Sequence, residues 1–70
     1  MTFKEFLSKC TACGGNWVAM LLTGVKVVFP KEYNTLISEV NKIGYDDGGF
    51  KSFGYICNWL TEHNITGITE

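Results

Sequence analysis

The sharpest chemical pattern in the sequence is Cys10-Thr11-Ala12-Cys13-Gly14-Gly15. A C-x-x-C-G turn is how zinc knuckles present two thiolates, the glycine letting backbone N–H groups approach the sulfurs. Zinc takes four ligands, or three plus water, and the other cysteine and the single histidine would complete a set of Cys10, Cys13, Cys57 and His63. No second close pair supports that set. The competing reading places Cys10 and Cys13 on an apolar arc with Phe3, Phe6 and Leu7, where a free thiol acts as a small buried hydrophobe. The sequence favours this second reading, with no cofactor, and keeps a zinc-stabilised module as the alternative.

Other reactive constellations are thinner. A thioredoxin-like pair begins a helix, whose N-terminus lowers the thiol pKa, whereas this pair falls at a helix end. Nucleophilic catalysis needs a base and a group to orient it, and His63 stands alone near the end of the last helical segment. Asp46-Asp47-Gly48-Gly49 lacks the alternating oxygens and distant glutamate of a calcium loop, and reads as a turn that caps a helix. These absences predict a protein that is not an enzyme.

A different kind of chemistry lies in Tyr55 and Trp59. They are four residues apart on the last helical segment, away from the apolar face Phe50, Phe53, Ile56, Cys57 and Leu60. Exposed Tyr and Trp are enriched at interaction hot spots. The sequence therefore predicts a partner-binding face of Tyr55 and Trp59, stacked on each other and flanked by Ser52 and His63. Three kinds of cover compete for it: the chain's own N-terminal segment or its tail Ile65–Ile68, a second copy in a homo-oligomer, or a different protein.

The elements that must position these residues follow from periodicity. Thr2 with Glu5 has capping-box spacing, and Phe3, Phe6, Leu7, Cys10 and Cys13 share one arc, which predicts a helix over 2–13 ended by Gly14-Gly15. Asn16 caps a second helix over 16–28, apolar nearly all round and so central. Its end, Val25–Phe29, also has strand propensity, but no second strand-like run is present to pair with it. Pro30 opens a third helix over 30–42 with Tyr33, Leu36, Ile37 and Val40 inward. A fourth spans 49–63, and residues from Asn64 onward read as a frayed tail. The prediction is an all-α single domain, residues 1–70, of four short helices.

Composition sets the outer bounds. The chain has 70 residues, six lysines, seven carboxylates, no arginine and a net charge of −1. That balance argues against binding nucleic acid or an anionic membrane by bulk charge. The third and fourth helices also admit a helix-turn-helix-like DNA-binding reading. Their connection of about six residues is long for that motif, and the second helix offers only Lys51, Ser52, Tyr55 and Asn58 to bases. The longest apolar stretch, Trp17 to Phe29, is 13 residues, against about 20 for a membrane span. An odd number of cysteines and an opening without an apolar leader predict a cytoplasmic protein.

Phe3-Lys4-Glu5-Phe6-Leu7 followed by Cys10-x-x-Cys13-Gly14-Gly15-Asn16-Trp17 resembles the opening of short bacterial proteins of unknown function from Gram-positive anaerobes. The resemblance covers about the first third of the chain. It implies a bacterial or mobile-element accessory role and brings no site, activity or cofactor with it. The combined expectation is a small protein–protein interaction module acting through the outer face of its last helix.

Overall fold

Four α-helices form the structure, a computed structural model describing residues 1–68: α1 (Phe3–Leu7), α2 (Trp17–Val28), α3 (Tyr33–Ile43) and α4 (Phe50–Glu62). The all-α architecture is the one the periodicity predicts. Val25 to Val28 completes α2 as helix, which removes the strand alternative. Among the described residues the only β-type pairing is an isolated bridge between Thr2 and Thr66. No helix among them is long and apolar enough to cross a membrane.

α2 is the central element and packs against each of the other three helices. Its buried stripe is Val18, Leu21, Gly24 and Val25. This closes on Phe6 of α1, Leu36 and Val40 of α3, and Ile56 and Leu60 of α4 to make the core. Asn16 caps α2 through its side-chain oxygen, which accepts from the Ala19 backbone N–H at 3.1 Å. α2 is less enclosed than an all-round apolar wheel implies, because Trp17 and Val27 at its two ends stand in solvent.

The first helix is the main correction. It stops at Leu7 rather than Cys13, so Cys10 and Cys13 lie in the loop that follows. Its start matches expectation: Glu5 N–H donates to Thr2 Oγ1 and Thr2 N–H to Glu5 Oε1, a reciprocal capping box. Its i→i−4 ladder lapses at Lys9 and Cys10, whose N–H groups go to the Phe6 and Leu7 carbonyls three residues back, and α2 takes up the chain beyond them. The Thr11 N–H is given to Thr23 Oγ1 at 2.7 Å instead of to a carbonyl one turn back. Phe6 and Cys10 meanwhile settle on Gly24, where an added Cβ would lie 2.5 Å from Cys10 Sγ and 2.7 Å from the Phe6 ring. Helix propagation adds one backbone bond per residue, and here tertiary packing supplies a substitute for it.

The tail is the second correction. Asn64 takes a positive φ, turning the chain back, and Ile65 is buried in the core. The Phe3 N–H then donates to the Thr66 carbonyl at 2.7 Å, and Thr66 N–H to the Met1 carbonyl at 3.1 Å. Over 64–68, what reads as frayed chain is a latch closing over α1; the rest of that expected tail, 69–70, lies outside the described residues.

α4 carries the third. Its buried stripe is Ser52, Ile56 and Leu60, at four-residue steps. Ser52, expected on an outer face, is fully buried, and its hydroxyl donates to the Gly44 carbonyl at 2.7 Å. That bond ties α4 to the end of α3. Phe50, expected inward, is instead the most exposed large apolar side chain in the core-facing set predicted for this helix.

Candidate functional site

The zinc set does not assemble. Cys10 and Cys13 sit in the loop after α1, Cys57 is half-buried on α4, and His63 is the residue that caps the end of α4. Among the described residues no three His, Cys, Asp or Glu side chains converge. The thiols are engaged locally: Cys10 Sγ lies 3.5 Å from the Phe6 carbonyl and Cys13 Sγ 3.3 Å from that of Thr11. Burial pushes the Cys10 thiol up, partly countered by the Gly24 backbone and reinforced by neighbouring Cys13. Burial also raises Cys57. A raised pKa makes the Cys10 and Cys57 thiols poorer nucleophiles at neutral pH.

The expected partner face on α4 is taken apart by its own chain. Trp59 stacks on His63 rather than on Tyr55, with ring centroids 3.6 Å apart and planes 18° from parallel. Phe29, just beyond α2, meets the indole edge-on at 5.2 Å and the imidazole at 5.4 Å. His63 Nδ1 lies 2.8 Å from the Trp59 carbonyl, which holds the imidazole over the indole. Trp59 and His63 are thus half-buried, Ser52 is interior, and Tyr55 alone of the four remains exposed.

A different set of rings is left open. Trp17, Val18, Tyr45, Gly49, Phe50 and Phe53 line a cleft of about 700 Å³ between the start of α2 and the loop that leads into α4. Trp17 is 59% exposed, Tyr45 47% and Phe50 79%. Trp17 and Phe53 hold each other edge to face, with centroids 6.5 Å apart at 89°.

Local chemistry builds this cleft. Gly48 and Gly49 both have φ in the left-handed region, a pair of positions that favours glycine. Together they turn the chain sharply into α4. Asp47 secures the turn, its two carboxylate oxygens accepting from the N–H groups of Gly49 at 3.1 Å and Lys51 at 3.0 Å. Gly49 forms the floor: a Cβ built on it would touch both Tyr45 and Val18 at 3.5 Å. Being the first residues of their helices, Trp17 and Phe50 have no preceding turn beneath them, so their rings project from the ends of α2 and α4.

Helical periodicity along α2 and α4 puts Trp17 and Phe50 on buried faces and so does not reveal this site. One signal was available: each follows a Gly-Gly pair closely, at Gly14-Gly15 and Gly48-Gly49. An apolar residue at the first position after such a turn has little chain around it to provide cover. The chain matches no protein-family model, and comparisons with curated proteins and with solved structures find no significant match.

Proposed function

We propose that this is a small docking module that binds a protein chain by taking apolar side chains into the aromatic cleft at the start of α2 and α4. One observation carries the reading: Trp17, Tyr45 and Phe50, each well exposed, converge on a single concavity. Single exposed apolar residues are ordinary, whereas a contiguous patch with a hollow marks an interaction site. Aromatic rings are also the side chains that dominate binding energy at such sites. Asp46, Asp47 and Lys51, all exposed, give the patch a polar rim. This site takes the place of the outer face of α4, whose Trp59 and His63 cover one another. Three free thiols support a reducing, cytoplasmic setting.

The cleft is tested with indole, the simplest planar apolar probe, titrated into isotope-labelled protein. Saturable amide shifts at Gly15, Val18, Gly48 and Gly49 are expected, and Trp17→Ser should abolish them while helical circular dichroism is retained. Shifts confined to the surroundings of Trp59, or no saturable shifts, would overturn the assignment.

A further inference from the structure

We infer that the partner fitting this cleft is a second copy of the same chain, in a two-fold symmetric dimer. The inference rests on the docking reading and names its occupant. A two-fold interface is isologous: one patch must be complementary to itself, so a protrusion and a hollow must lie together on the same face. Phe50 supplies the protrusion, being 79% exposed, and it is also a wall of the cleft formed with Trp17, Tyr45 and Phe53. Rotation by a half-turn sets each Phe50 ring against the hollow of the other copy.

Charge follows the same rule. Of the exposed rim residues Asp46, Asp47 and Lys51, Asp47 is committed to the Gly49 and Lys51 N–H groups, which leaves Asp46 before the Gly48-Gly49 turn and Lys51 after it. Among the described residues the only ion pair is Lys42 with Glu39 on α3, so both charges at the rim are free to pair across a two-fold axis. A rim with one uncommitted charge of each sign can pair with its own copy, whereas a strongly acidic or basic rim would call for a different partner.

Area sets the expected strength. At their observed exposures, Trp17, Tyr45 and Phe50 present roughly 400 Å² of ring surface per copy. Two copies pool about 800 Å², short of the 1,200–2,000 Å² typical of specific interfaces, so the loop and the cleft walls must supply the remainder. The dimer is therefore weak and concentration-dependent.

Sedimentation equilibrium on the full chain, from about 10 μM to about 1 mM, tests this. The expected result is a rise from the 7.8 kDa monomer towards twice that mass. Phe50→Ser should weaken association by about 30-fold or more, as for a hot-spot ring, with helical circular dichroism unchanged. Lys51→Glu should weaken it by a few-fold, and mixing Lys51→Glu chains with Asp46→Lys chains should restore it, because each copy then offers the charge the other lacks. Saturating indole should drive the dimer apart. A mass that stays at monomer throughout, with indole still bound at the cleft, overturns self-association and leaves the docking site standing. A dimer indifferent to Phe50→Ser and to indole places the interface elsewhere and overturns the inference. Loss of both indole binding and association brings down the docking reading as well.

Discussion

Two aromatic groups in this molecule have nearly the same ingredients and opposite fates. Phe29, Trp59 and His63 are neighbours across the end of α2 and the end of α4, and they cover one another face to face and edge to face. Trp17, Tyr45, Phe50 and Phe53 gather at the other ends of the same two helices and leave a hollow. The difference lies in the chain that arrives next. After α2 the chain continues through Phe29 directly into the turn at Pro30, which keeps the ring beside α4. Before α2 and α4 it passes through glycine pairs with no side chain to offer. Aromatic content alone therefore does not mark a binding surface; what matters is whether the adjoining backbone brings a lid.

Mutations can separate the two groups. The largest effect is expected at the closed one. Trp59→Ala removes a half-buried indole with two ring partners and should lower unfolding free energy by about 2–3 kcal/mol in urea titrations. Trp17→Ala should cost about 1 kcal/mol or less, since it forfeits one edge contact and little burial. Equal losses at the two positions would erase the distinction.

A second effect tests the contact that holds α1 on α2. Gly24→Ala gains about 1 kcal/mol of helix propensity, but its Cβ would crowd Cys10 and Phe6 at 2.5 and 2.7 Å. Overpacking of that kind costs about 1–3 kcal/mol, so net destabilisation of about 1 kcal/mol is expected. Adding Cys10→Ala should recover part of it. An outright gain from Gly24→Ala would mean that α1 is held less tightly on α2 than the geometry shows.

Fluorescence sharpens the comparison without altering stability much. In Trp59→Phe the remaining Trp17 should be readily quenched by acrylamide, and in Trp17→Phe the remaining Trp59 should be protected. Quenching that is equal in both would place Trp17 under cover. The smallest effect lies at the N-terminal cap. Hydrogen bonds from the Thr2 backbone and hydroxyl, with help from the N-terminus and Lys9, hold the Glu5 carboxyl below the usual glutamate range. A lowered folded-state pKa adds stability above the unfolded value and loses it as pH falls through the folded one. Glu5→Gln should therefore flatten the acid limb of the stability profile slightly, as read by thermal melts at a series of acid pH values.

The helices were legible where local signals were undisputed. Asn16 caps α2 as expected. Tyr33, Leu36, Ile37 and Val40 on α3 form the stripe that the spacing implies, with Leu36 and Val40 innermost. The Cys10 and Cys13 spacing continues a helical arc past the real end of α1, where Lys9 and Cys10 turn to carbonyls three residues back and Thr11 gives its N–H to Thr23 on α2. The outer face of α4 differs from the one the spacing implies because Ser52 is buried rather than facing water. Burying Ser52 rotates the inward stripe by roughly 50° on the wheel, which brings Trp59 towards the interior and turns Phe50 out. No local signal in the sequence announces the Gly44 carbonyl that satisfies the Ser52 hydroxyl. The cleft is a property of helix ends meeting in space, and it is invisible to any pattern along one helix.

The latch between Met1–Phe3 and Ile65–Thr66 means that the start of the chain and the segment after α4 share hydrogen bonds and a core residue. Neither can detach alone without stranding the other's amides, so both should exchange with deuterium at a common rate. The bundle then behaves as a hoop with one clasp, and loosening it would first uncover Phe6.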